Sequence, residues 1–459
     1  MLDVHKFHRL SAFVGLLGTI GASLSGCGGS GAPIVPLPNR SVCLANTAHN
    51  DGRARWTVLI YVNAANDLQR FSLTNVGQMA SIGSDSNVNI VIQWKQANCQ
   101  TDCGTPSFLG TRRYLLKQHN AADVTAIQNG VSTSLDPDRL ADPQTNRPDG
   151  NGNSTSDMGD WNTLKNFVEW GAQAYPSDNL AVVVWDHGSG WRPTRTASGN
   201  KLKRQFRAVS QDAQSLNEIQ TWELPLALGG LQQIQPLDML ILDASLEQML
   251  EISYEVRNVA KVMVGSEESP PGLGYPYDRW LSAIKSSGKN RCDVGQNIMQ
   301  TFLDYYAQND PSANDITQSV LDLSKMDVLA TALDNFALVL MTHVNDQATL
   351  LQTSRENVQH YTVPYDDNKD LFHYADLISK GTTFSDLKQA AEKVKTALTG
   401  ADGAVLFSGH GTTDIGKQQA NSNGLAIYIP TATGYVSSYA NLALAHRTHW
   451  DEFLLSQTR

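Results

Sequence analysis

Two short stretches hold the residues best suited to chemistry. NLAVVVWDHGSGW (179–191) ends in Asp186-His187-Gly188-Ser189-Gly190-Trp191, and LDMLILDASLEQMLEISYEV (237–256) passes through Asp243 and Ala244 to Ser245. Each is an apolar run ending in polar residues, the pattern of a buried parallel strand whose carboxyl end opens on a cleft. A histidine exchanges protons near neutrality, and a serine hydroxyl attacks a carbonyl once a base takes its proton. The glycines after His187 leave backbone N–H groups able to approach a carbonyl oxygen, as an oxyanion hole requires. Three readings of Ser245 stand open: a nucleophile, the replacement of a lost one, or the N-cap of a helix over 246–259, for which serine is favoured.

The elements that position these residues read as α/β. Strand candidates fall at 56–64, 88–94, 112–117, 180–187, 237–244 and 260–267, with later ones at 404–409 and 425–430. Amphipathic stretches lie between them, notably 160–175 and 216–234. Continuous apolar strands alternating with helices imply a mostly parallel sheet covered on both faces. A right-handed crossover through 216–234 sets strands 180–187 and 237–244 side by side, so that His187 and Ser245 face one cleft. Residues 315–400 read as a mainly helical addition, and no internal repeat is evident.

Composition narrows the function classes. The 459 residues carry 35 Lys and Arg against 45 Asp and Glu, a net charge of −10, which excludes a general nucleic-acid binder. Lys6 and Arg9 precede the apolar run LSAFVGLLGTIGASLSG, the form of an export signal over residues 1–26. That run ends in Leu24-Ser25-Gly26-Cys27, which resembles the bacterial lipoprotein box; the resemblance implies a lipid on Cys27 and anchoring in the cell envelope. No aspartate follows Cys27, which points to the outer membrane, and Gly- and Pro-rich residues 27–52 read as a tether before a domain over 53–459. Export permits disulfides among Cys43, Cys99, Cys103 and Cys292. Cys99 and Cys103 are close enough for a local bridge, which leaves Cys43 and Cys292 as a second pair, but sequence does not choose among the three connectivities.

Several blocks, in order, carry a family resemblance: WTVLIYVNAANDLQ, SDMGDWNTLKNFVEW, NLAVVVWDHGSGW, LILDASLEQMLEISYEV, VGSEESPPGLGYPY and NGLAIYIP. Together they resemble the clostripain family of cysteine peptidases over roughly residues 55–455. That resemblance implies the α/β/α sandwich of the caspase and gingipain clan, a His–Cys dyad, and cleavage after Arg or Lys. It makes His187 the catalytic histidine, Gly188 the oxyanion-hole glycine, and Asp243 an acidic residue of the basic S1 pocket. Ser245 stands where the family has its nucleophilic cysteine. A thiol of pKa about 8.5 is partly ionised near neutrality, whereas a hydroxyl needs a base bonded to it and a third group orienting that base. Asp186 is a poor orienter, because a chain neighbour points away along the strand.

Three further features complete the expectation. RPTRTASGNKLKRQFR carries Arg192, Arg195, Lys201, Lys203, Arg204 and Arg207 without an acid, either a solvated loop or, by the resemblance, a self-cleavage segment. Asp149, Asn151, Asn153, Asp157 and Asp160 approach the oxygen spacing of a calcium loop but lack its glycine and final glutamate, so a turn-rich surface loop competes with a Ca2+ site. His410, in SGHGTT, reads as a turn residue away from the site. The expected protein is therefore an envelope lipoprotein with a peptidase fold and a cleft for Arg- or Lys-containing peptides or proteins. Its catalysis is impaired by Ser245; the alternative is an active endopeptidase using Ser245 and His187.

Overall fold

The computed structural model describes residues 40–49, 51–98, 104–143, 156–192, 209–287, 290–310, 315–411, 419–431 and 433–457. Cys27, Cys99, Cys103, Asp149, Asn151, Asn153 and the basic residues from Arg195 to Arg207 lie outside them. The described strands are β1 Ala54–Ala64, β2 Val88–Gln96, β3 Gly110–Leu115, β4 Ser177–Trp185, β5 Val209–Asp212 and β6 Asn217–Ile219. They continue with β7 Leu237–Asp243, β8 Ala260–Gly265, β9 Thr317–Asp322, β10 Asn368–Asp370, β11 Val405–His410 and β12 Ala426–Tyr428.

Eight of these form one sheet in the order β11-β9-β8-β7-β4-β1-β2-β3. The run from β2 through β1, β4 and β7 to β8 is parallel, while β3 and β9 run against their neighbours. β1 shows why such a strand lies inside. Its stretch Trp56–Ala64 is buried throughout, with apolar side chains for both faces of the sheet. Leu59 and Tyr61 meet Leu164, Phe167, Leu224, Leu240 and Ile252 in one core. By the period-two alternation Val58 and Ile60 face the opposite side. The result is the mostly parallel, helix-flanked α/β sheet expected.

Some elements differ from the sequence reading. The stretch 216–234 is no single crossover helix: it divides into β6, a 3-10 turn Thr221–Glu223, and helices Leu224–Leu228 and Leu231–Ile234. Pro225 at the first turn, and Gly229-Gly230 between the short helices, break it. β12 leaves the main sheet and pairs with β10. Residues 315–400 are mainly helical, but β9 lies inside the main sheet, and Phe336, Tyr374 and Trp450 join the same apolar core as β1.

The end of the expected tether is held on the body of the fold. Arg40 is buried and donates to the carbonyls of Gly403 and Ala401 at 2.5 and 2.8 Å. Cys43 is bonded to Cys292 at the start of the helix Arg291–Asn309. Arg291 donates to the carbonyls of Val42 and Leu44 at 2.6 and 2.9 Å. No helix among the described residues is long and apolar enough to cross a membrane.

Candidate active site

The sheet register brings the two motifs together. Trp185 of β4 pairs with Asp243 of β7, and the N–H of Asp186 donates to the Asp243 carbonyl at 3.2 Å. His187 and Ser245 therefore leave neighbouring strand ends at the same level. Backbone meets backbone at Gly188, where a Cβ would lie 2.4 Å from the Ser245 carbonyl oxygen and 2.5 Å from Glu247 Oε1. Only glycine fits that approach. Past Ser245 the chain reverses through Leu246, which adopts a left-handed φ of 67°. The helix begins only at Leu250, with Met249 at its N-cap and no side-chain cap bond. Ser245 is thus not the cap of a helix over 246–259.

His187 has a partner that the sequence did not reveal. Its Nε2 lies 2.6 Å from Asp67 Oδ1, in the loop after β1. Asn66 fixes that loop: its amide donates to Asp186 Oδ1 at 2.6 Å and to the Gln211 carbonyl at 2.8 Å, and its own oxygen accepts from Leu68 N–H. Asp186 accepts from Asn66 and from the backbone N–H of His187 at 2.6 Å. Ser245 is half-buried, and among the described residues no hydrogen bond joins its Oγ to His187. The signal for Asp67 lay in NAANDLQ, a polar cluster at the end of a strand that pairs with β4.

Asp243 is buried under a set of tyrosines. Its Oδ2 accepts from Tyr277 Oη at 2.8 Å and from the Tyr275 N–H at 3.3 Å. Gly274, at φ +58°, passes so close that a Cβ would lie 2.7 Å from Asp243 Oδ1. Burial pushes the Asp243 carboxyl up to about 7, against the pull of those two donors. Among the described residues no cationic side chain forms an ion pair with it. Glu247 is also buried; its Oε1 accepts from the N–H groups of Ser189 and Gly190 at 3.2 and 3.3 Å. Burial raises its carboxyl to about 8.

The loop after His187 is pinned at its far end. Trp191 packs edge-on against Tyr428 and Tyr439 at 4.8 and 4.9 Å. Arg192, the first basic residue of the expected loop, is buried in an ion pair with Asp367 and lies 5.3 Å over the Tyr428 ring.

The remaining candidates have other occupations. Asp157 accepts from Gly159 N–H, Ser215 Oγ and Asn217 Nδ2 at 2.9, 2.7 and 2.9 Å, tying the 157–160 turn to β6. Asp160 caps the helix Trp161–Ala174, accepting from the N–H of Asn162 at 2.9 Å. No cluster of metal-ligating side chains occurs among the described residues. His410 is the last residue of β11, an edge strand separated from β7 by β9 and β8.

Comparison with known proteins agrees with this architecture. The model of the Clostripain family matches residues 60–456. Clostripain of Hathewaya histolytica is 20% identical over 419 residues, covering 83% of this chain and 76% of that protein. The fold is similar to a secreted C11 cysteine protease from Bacteroides thetaiotaomicron, solved with an irreversible peptide inhibitor. That match has a TM-score of 0.59 at 17% identity, over 88% of this chain and 99% of the other. An inactive zymogen C11 protease from Parabacteroides distasonis gives a TM-score of 0.59 at 18% identity, over 86% and 98%. With the fold and a family match over nearly all of its length in agreement, the chain belongs to the clostripain family.

Proposed function

We propose that this protein is an exported, lipid-anchored member of the clostripain family whose cleft takes peptides or proteins through an Arg or Lys side chain, with catalysis impaired at Ser245. The observation that carries the impairment is the serine itself, standing where the family has its cysteine, with His187 Nε2 engaged by Asp67 and no hydrogen bond to Ser245 Oγ among the described residues. A serine without a bonded base stays a neutral hydroxyl, a poor nucleophile at neutral pH. Asp243 supports the preference for a basic side chain, since it is a buried carboxyl with no cationic partner among the described residues. The lipid on Cys27, the outer-membrane location and the expected absence of nucleic acid follow from the sequence.

A second reading has one observation in its favour. Asp67 supplies the third group that an activated serine requires, so a Ser245–His187–Asp67 relay forms if a bound substrate draws Ser245 Oγ onto the imidazole. A fluorogenic peptide with Arg at P1 separates the two, using the full chain with Ser245→Ala and Ser245→Cys. The impaired reading expects a silent native protein and activity from Ser245→Cys. Turnover by the native protein that Ser245→Ala abolishes establishes the second reading instead.

A further inference from the structure

A buried carboxyl joins the turn after Ser245 to the loop after His187. Glu247 is 1% exposed, and its Oε1 takes the N–H groups of Ser189 and Gly190 at 3.2 and 3.3 Å. The same oxygen lies against Gly188, 2.5 Å from where a Cβ would stand. These three residues are the backbone best suited to approach a substrate carbonyl oxygen. Two of their N–H groups already have an acceptor, and an ionised acceptor has the sign of charge that a tetrahedral intermediate develops.

We infer that Glu247 is a second determinant of the catalytic state of this cleft, independent of Ser245. Its carboxyl occupies N–H groups of the His187 loop and opposes the build-up of negative charge on a substrate carbonyl oxygen. The inference rests on the reading of the cleft as a peptidase site and adds a cause of low activity that a sulfur at position 245 does not remove. A fixed charge beside a developing one acts strongly in a water-poor site, where preorganised dipoles normally do the stabilising.

The charged groups around Glu247 are committed elsewhere. On its own segment Asp243 holds Tyr277, and Glu251 accepts from Tyr428 N–H and Tyr439 Oη at 2.9 and 2.8 Å. On the His187 loop, His187 is bonded to Asp67 and Arg192 is paired with Asp367. Past β8, Glu267 accepts from Tyr361 Oη and Gly424 N–H, and Glu268 from Thr362 N–H and Gln419. At the end of β10, Asp370 accepts from the N–H groups of His373 and Asn423. No ion pair among the described residues reaches Glu247. Burial without a cation raises its carboxyl to about 8, so the opposing charge grows as the pH rises from 6 to 9.

The test compares Ser245→Cys with Ser245→Cys/Glu247→Gln and Ser245→Cys/Glu247→Met in the full chain, on the Arg-P1 peptide from pH 6 to 9.5. Each kcat/KM is divided by that variant's own thiolate fraction, titrated by its absorbance, before ratios are taken, because a charge at position 247 also acts on the sulfur. The Gln-to-Glu ratio is expected near one at pH 6 and about tenfold or more at pH 9.5. The Met variant, which also frees the N–H groups, is expected to exceed Ser245→Cys at every pH. A ratio that stays flat with pH, or folded double variants that turn over no faster than Ser245→Cys, overturns the inference. The reading of Ser245 is decided separately, by native protein against Ser245→Cys at pH 6. If the native protein is as fast as Ser245→Cys, that reading fails and Glu247→Gln on the native background carries the same ratio test.

Discussion

At the scale of single residues, two carboxylates near His187 and Ser245 make opposite demands. Asp67 is half-exposed and bonded to His187, so its negative charge is available to steady a protonated imidazole during turnover. Asp67→Asn keeps the shape and removes that charge. In the Ser245→Cys background it is expected to lower kcat on the order of 100-fold with little change in KM; a fall in KM-linked binding alone would make Asp67 a wall of the cleft instead. Asp243 is fully buried, and its carboxyl sits near 7, so it is half-protonated near neutrality in the unliganded protein. A guanidinium binds the ionised form. Affinity for an Arg-P1 peptide should therefore climb as pH rises from 6 to 8, by at most about tenfold per unit below 7, and level off above. Asp243→Asn should flatten that profile and weaken binding, as read by calorimetry in the Ser245→Ala background. An unchanged slope in the variant would place the titration on another group.

At the scale of elements, the sequence was most legible where burial writes a simple pattern. β1, β4 and β7 are continuous apolar runs because both faces are covered, and their polar ends mark the cleft without further help. β9 was hidden by its polar residues, Thr317, Gln318 and Ser319, which look like a loop. Two of them are buried because they are bonded: Thr317 Oγ1 accepts from the N–H groups of Glu267 and Glu268 at 3.0 Å, and Ser319 Oγ accepts from Gln248 and donates to the Gly424 carbonyl. Asp67 showed only as part of the polar cluster NAANDLQ; its pairing with His187 did not, because the two meet across 120 residues from a loop with no periodicity. Glu247 falls inside the helix that one reading of Ser245 placed over 246–259, whereas the helix starts at Leu250. The bridge between Cys43 and Cys292 was one of several allowed pairings, and it closes a separation of 249 residues. Loop-closure entropy on that scale gives on the order of 5 kcal/mol of stabilisation as an upper figure. Cys43→Ser/Cys292→Ser is expected to lower the thermal midpoint by several degrees while the activity ratios above stay unchanged, since the bridge lies at the N-terminal ends of the parallel strands. A midpoint indifferent to the bridge would mean that Arg291 and Arg40 hold the segment unaided.

At the scale of the whole molecule, the buried carboxyls set how stability responds to pH. Burial pushes Asp243 and Glu251 up to about 7, Glu247 to about 8 and Asp370 to about 6, and it raises Glu267 beside Asp370 as well. Each therefore holds its proton more tightly folded than unfolded, where the ordinary values are 3.8 for Asp and 4.5 for Glu. Their contribution to stability is complete in acid and is lost between those ordinary values and the raised ones, at up to about 1.4 kcal/mol per pH unit for each group. Surface carboxylates act in the other direction: Arg53 holds Asp51 down at about 2, and Ser379 with Lys395 lowers Glu392, so their stabilisation fails only in stronger acid. The two sets place the maximum in acid, around pH 4, where the ordinary carboxyl values lie. Thermal melts should show the midpoint falling from pH 5 to 8 and flattening toward 9, once Glu247 has ionised. Glu247→Gln carries no charge to bury, so its midpoint should fall less than that of the native protein between pH 7 and 9. A native curve that rises over that interval would mean these carboxyls are reached by water, and the electrostatic block assigned to Glu247 would lose the low dielectric on which it depends.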